Sequence, residues 1–425
     1  YFIEQAGLDR HIREALRGLD TRDLRDLAAR GARVREYITQ ATLPPALQDE
    51  IVKSYGAMER EYGKDVGVAV RSSATAEDLP DASFAGQQDT YLNVKGTDEV
   101  LSKIRDCIAS LFTNRAISYR EDKGFDHFDV YLSVGVQKMV RSDLACSGVM
   151  FSIDTESGFK HAVYITGAWG LGENVVQGIV NPDQFYVFKP TLRSGHRSII
   201  EKRLGTKAKK LVYQPSGHGT RQVSVPRNDR QRFILEDDEV LQLARWACII
   251  EEHYGKPMDV EWAKDGLTGG LFVLQARPET VHTRESGTVL TTYVLEQSGK
   301  LLVTGESVGM KIGQGKVNVI SSSADIQKFN EGDVLVTDMT DPDWEPIMKI
   351  ASAIVTNQGG RTCHAAIVSR ELGVPCVIGT GTGTKALTKS EHVTVDCSEG
   401  RGKVYDGLLE YRVDTIALKD VPRPR

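Results

Sequence analysis

Hydrophobic positions along this chain change period several times, and the changes divide it. Residues 20–39 carry Leu24, Leu27, Ala28, Val34 and Ile38 at helical spacing, which predicts an amphipathic helix with Asp20 or Thr21 as N-cap. A second helix is expected over 47–62 and a third over 97–119, where Val100, Leu101, Ile104, Ile108 and Leu111 form one stripe. Between them Val66–Val70 is a β-branched run that passes into the polar Arg71-Ser72-Ser73-Ala74-Thr75. Strands are then expected at 130–140, 144–152, 161–166 and 183–189, followed by loops and peripheral strands over 191–230. Residues 237–254 predict a helix with Val240, Leu243, Ala244, Ala247 and Ile250 inside, stopped by Gly255 and Pro257.

The stretch 258–277 predicts a hairpin. Met258–Ala263 and Leu271–Arg277 are joined through Asp265-Gly266 and Gly269-Gly270. Alternate residues share a strand face, so Met258, Val260 and Trp262 align with Phe272, Leu274 and Ala276 on an apolar side. Asp259, Glu261, Gln275 and Arg277 are then left together on the other side. Carboxylate and amide oxygens suit Mg²⁺ and a guanidinium suits phosphate. A solvated face with cross-strand ion pairs would give the same pattern. The segment 284–300 is rich in Thr, Ser, Gly and Glu and is expected to be a linker and hinge. A further unit of short strands and glycines is expected over 301–407, with 408–425 beginning another connection.

Inside that unit, Gly359-Gly360-Arg361-Thr362-Cys363-His364 lies between the apolar run 353–356 and a helix-like run ending at Leu372-Gly373. His364 therefore falls in the first turn of a helix. Unpaired backbone N–H groups there attract phosphate, and a neutral imidazole is a good nucleophile. A histidine that merely caps the helix or fills the core is the alternative. A Cys363–His364 nucleophile–base pair of a hydrolase is disfavoured, because neighbours on a helix point in different directions. Arg71 and the small residues after it form a loop able to approach phosphate. No Walker A spacing occurs: neither Gly313-Gln314-Gly315-Lys316 nor Gly383-Thr384-Lys385 fits.

Composition narrows the class. The 425 residues are 40% hydrophobic and 26% charged with net charge −5, which is globular and gives no support to nucleic-acid binding. No apolar run approaches a membrane span. The six cysteines lack CxxC spacing and read as buried thiols of a reducing compartment, so the cytoplasm is expected.

Taken in order, several motifs resemble the phosphoenolpyruvate synthase (pyruvate, water dikinase) family. They are residues 66–93, Met139–Asp143, Phe151–Gly158, Trp169–Gly178, Pro257–Trp262, Asp338–Pro346 and Gly359–Ile367, and they cover nearly the whole chain. The resemblance implies an α/β (α+β) chain: an ATP-grasp unit over 1–283, then a swivelling β/β/α phosphohistidine domain over 301–407. It implies that ATP is cleaved to AMP and phosphate, with the β-phosphoryl group passing to His364 and then to pyruvate. Arg71, Gly86, Thr90 and Gln137 fall on nucleotide-contacting positions, as does Arg277. Glu261 and Gln275 fall on Mg²⁺–nucleotide positions, with Asp259 beside them. Thr362 matches a threonine that a regulatory kinase can phosphorylate. The family's amino-terminal Gly-Gly-Lys loop and its carboxy-terminal barrel, which binds pyruvate and phosphoenolpyruvate, have no counterpart here, so the chain is expected to be a fragment limited to the ATP half-reaction. Pyruvate, phosphate dikinase is a rival, although it typically reads Thr-Ser-His where this chain has Thr362-Cys363-His364. A phosphocarrier with an inactive nucleotide site is another. A homodimer is one assembly open to the chain.

Overall fold

A computed structural model describes residues 1–21, 23–75, 78–79, 82–83, 89–279, 289–341, 344–361 and 363–417. The chain forms two compact units: Tyr1–Val140 with Tyr213–Arg221, and Arg141–Val212 with Gln222–Arg425. The first unit ends inside the 1–283 segment, and the second combines the remainder of that segment with the unit read at 301–407.

In the first unit a three-stranded antiparallel sheet runs in the order Thr90–Val94, Val68–Ala74, Leu132–Lys138. Its Val68 and Val70 side bury against Val100, Ile104 and Cys107 of the helix Thr97–Ala109. A second cluster joins the amino-terminal helices to the long helix Leu24–Gln40 through Ile12, Val34 and Ile38. The N-cap of that helix is Asp23, whose carboxylate accepts from the N–H groups of Arg25 and Asp26, rather than Asp20 or Thr21. The helix expected over 97–119 breaks into Thr97–Ala109, a 3₁₀ turn at Ser110–Phe112 and Asn114–Lys123. The break arises because the Thr113 side chain accepts from Ala116 N–H and starts a new helix.

The second unit holds a six-stranded antiparallel sheet in the order Leu271–Pro278, Met258–Lys264, Cys146–Phe151, Ala162–Trp169, Asp183–Phe188, Ile199–Arg203. One face packs on the helix Asp237–Tyr254, with Met150, Ile165, Phe185, Val260 and Trp262 against Val240, Leu243 and Ala247. That helix starts at a reciprocal Glu236–Glu239 capping box and ends at a left-handed Gly255, the stop its sequence predicts.

The expected hairpin forms in the expected register up to Glu261. A bulge between Glu261 and Trp262 then shifts the pairing, so that Trp262 faces Val273. As a result Leu271, rather than Phe272, packs towards the core, and Phe272 is exposed.

Seven strands close a barrel in the order Leu301–Val308, Cys376–Ile378, Ala353–Thr356, Val334–Thr337, Ile312–Val319, His392–Asp396, Gly402–Asp406. Val336, Val355, Val377, Val395 and Val404 fill it. Residues 289–295, inside the expected linker, form a strand that pairs antiparallel with Tyr411–Ala417.

Asp183 and Lys207 are fully buried and paired; Asp183 also accepts from Gly205 N–H at 2.7 Å and Ile234 N–H at 2.9 Å. Each charge is tolerable only because the other is present. Lys207→Met is expected to destabilise the chain by about 3–5 kcal/mol, because it strands the buried Asp183 charge. Denaturant unfolding measures the loss.

Candidate functional site

The side of the six-stranded sheet away from its helix carries two cross-strand rows. Register places Gln275, Glu261, Val149, Thr166 and Gln184 in one row, and Arg277, Asp259, Phe151, Tyr164 and Tyr186 in the other. Glu261 and Gln275 are direct partners, which presents a carboxylate and an amide side by side. Arg277 donates from Nε to Asp259 Oδ2 at 2.9 Å and also places Nη2 2.8 Å from it. Asp259 Oδ1 is buried with no hydrogen-bond partner. This is an orphaned anionic oxygen beside two further oxygen donors, and such a set fits a hard cation that keeps part of its water shell. Among the described residues no group of three or more His, Cys, Asp or Glu is arranged to hold a metal, so any cation here would rest on the mixed carboxylate–amide set.

In the first unit Arg71 lies opposite Thr90 on one side and Gly135 on the other, while Gln137 faces Ala69 two residues along. Arg71, Thr90 and Gln137 thus share the sheet face turned away from the valine core. Gly135 leaves room beside the Arg71 stem. Gly86 and Thr362 lie outside the described residues.

His364 is the first residue of the helix His364–Leu372, as expected, with Cys363 as N-cap. Ala365, Ala366 and Val368 anchor the helix in an apolar cluster with Ile354 and Leu335. The ring Nδ1 lies 3.0 Å from the hydroxyl of the buried Thr340. A hydroxyl held at Nδ1 restrains the orientation of the ring. The sequence pattern alone does not distinguish Thr340 from its neighbours in the 338–346 motif. Burial pushes the Cys363 thiol up to about 11, against the pull of the Ala366 and Ala365 N–H groups. A buried thiol held protonated is a poor nucleophile, which weighs against the hydrolase alternative.

The histidine loop rests on the sheet's polar side. Arg361 Nη1 donates to Tyr186 Oη at 2.5 Å, and Gln184 Nε2 donates to Glu306 Oε1 at 2.5 Å. Asn181 Oδ1 accepts from Gly359 N–H at 3.2 Å. Gly178, at φ +73°, lies so close that an added Cβ would meet Cys363 Cβ at 2.3 Å. The Gln184 contact and Glu261 share one row, three strand spacings or roughly 14 Å apart. Burial raises the Glu306 carboxyl above the usual range, despite Arg361 and Gln184 beside it. These contacts join residues far apart in the chain, and no local pattern announces them.

A profile described as "Pyruvate phosphate dikinase, AMP/ATP-binding domain" matches residues 1–297, and one described as "PEP-utilising enzyme, mobile domain" matches 329–400. The chain belongs to the pyruvate phosphate dikinase AMP/ATP-binding family. It is 56% identical to a phosphoenolpyruvate synthase of Synechocystis over its whole length and 54% of that protein. It is 53% identical to those of Aquifex aeolicus and Escherichia coli, across 100% and 99% of this chain and 51% and 53% of theirs. The chain thus spans about half the length of the curated relatives it matches. No helix among the described residues is long and apolar enough to cross a membrane.

With its thiol at about 11, Cys363 is roughly 0.1% thiolate at pH 8 and gains thiolate only as the pH nears that value. The native chain is therefore expected to resist iodoacetamide at Cys363 at pH 8, read by mass spectrometry, while the unfolded chain reacts.

Proposed function

We propose that this chain carries the ATP-using part of a phosphoenolpyruvate synthase. The overall reaction is ATP, pyruvate and water to AMP, phosphoenolpyruvate and inorganic phosphate. The observation that carries this reading is a shared surface. The sheet face that presents Glu261 beside Gln275 is the one on which the His364 loop is held.

In this reading residues 1–283 are an ATP-grasp unit, 284–300 a hinge and 301–407 the phosphohistidine domain. His364 Nε2 attacks the β-phosphorus of ATP. A nitrogen–phosphorus bond forms, the bond linking the α- and β-phosphoryl groups breaks, and AMP leaves. Water then takes the γ-phosphoryl group as inorganic phosphate, and the β-phosphoryl group on His364 is available for pyruvate. Thr340 orients the ring through Nδ1. Arg71, Thr90 and Gln137 supply phosphate- and nucleotide-facing groups on the first unit's sheet. Gly86 belongs to the same proposed set by resemblance.

Glu261 and Gln275 would hold Mg²⁺, which when bound neutralises phosphate charge. Asp259 would turn its unpartnered Oδ1 to that cation while its Oδ2 orients the Arg277 guanidinium for phosphate. Thr362 is the proposed site of regulatory phosphorylation.

Incubation with β-labelled ATP and Mg²⁺ is expected to give an acid-labile label that His364→Ala abolishes. Thr340→Val is expected to slow labelling about tenfold, the effect of one lost orienting hydrogen bond. Absence of label on a folded chain would sink the proposal.

A further inference from the structure

We propose that Glu156 is a positioning residue for loading His364: its carboxylate clamps the histidine helix to the six-stranded sheet. The inference rests on the phosphohistidine reading above and adds a residue that the sequence motifs alone do not single out.

Glu156 sits on the turn after the strand Cys146–Phe151, and that turn is built before it meets the barrel. Gly158 N–H donates to Asp154 O at 2.9 Å, and Asp154 N–H donates to Phe159 O at 3.1 Å. The Asp154 carboxylate accepts from Ser157 Oγ at 2.5 Å and lies 3.5 Å from the Tyr186 hydroxyl. Both oxygens of Glu156 are then used by the barrel. Oε1 accepts from Arg370 Nε at 2.9 Å and also from Arg370 Nη2, and Oε2 accepts from Gly309 N–H at 3.0 Å. The pair is nearly dry, with side-chain exposures of 7% for Arg370 and 12% for Glu156.

Arg370 lies in the last turn of the helix that His364 begins, and its Nη2 also donates to the Arg361 carbonyl. One guanidinium therefore ties the helix end to the loop before His364. Arg361 in turn reaches Tyr186 and stands 3.8 Å from Asp154. A single carboxylate thus fixes the helix, the loop and the end of the first barrel strand against the sheet that carries Glu261 and Gln275. A buried charge-assisted contact of this kind holds direction as well as distance. Placement errors of about 1 Å at a reacting centre can cost about 100-fold in rate.

The test is single-turnover labelling of His364 in this chain from β-labelled ATP with Mg²⁺, at varied ATP. Glu156→Ala is expected to lower the maximal rate about 100-fold, with half-saturating ATP unchanged within about twofold. Glu156→Gln keeps an acceptor for Gly309 N–H without the charge and is expected to fall between; it also carries the test if the alanine variant does not fold. Arg370→Ala combined with Glu156→Ala is expected to be no slower than the slower single variant, because both remove one contact. A folded Glu156 variant that labels at the unaltered rate, or whose loss is entirely weaker ATP binding, overturns the clamp alone. An unaltered, folded chain that takes no label overturns the phosphohistidine reading and the clamp with it.

Discussion

Side chains on a strand alternate between two faces, and the six-stranded sheet puts both to use. Its apolar side is sealed by the helix Asp237–Tyr254 through Trp262, Val260 and Phe185. That seal obliges the intervening residues, Asp259, Glu261, Gln184 and Tyr186, onto the opposite side. The burial that folds the sheet and the polar groups that give it chemistry are therefore one pattern read twice. A one-residue slip would send the carboxylates into the core and the tryptophan to solvent.

Buried charge makes this arrangement stiff where the histidine loop meets it. Asp183 and Lys207 close off the strand from which Gln184 and Tyr186 project, and Lys207 N–H also donates to the Asn181 carbonyl at 3.2 Å. Asn181 is the residue that holds Gly359. The sheet thus presents a preformed seat, and the histidine segment brings two arginines and a glycine-lined loop to it. Rigid groups on both sides of a contact lower the entropic cost of forming it.

Much of this was legible in the sequence where the physics is local. The stop of the helix 237–254, the hairpin faces at 259/261 and 275/277, and His364 at a helix start all follow from period and turn residues. The bulge after Glu261 was not legible, because an extra residue on one strand leaves no mark in alternation until the partner is known. The interruption at Thr113 turned on a single hydroxyl competing with a continuous apolar stripe. Thr340, Asn181, Glu156 and Arg370 were hidden for a different reason. Each looks like an ordinary polar loop or helix residue, and only the tertiary fold brings Glu156 and Arg370 together.

The pairing of Val289–Leu295 with Tyr411–Ala417 has a mechanical meaning. The chain enters and leaves the barrel through one zipped ribbon rather than through two independent tethers. Two hydrogen-bonded strands bend together far more readily than they shear past each other. The entry and exit of the barrel therefore share one heading, and any bend of the ribbon turns both connections together, as a hinge plate turns a door.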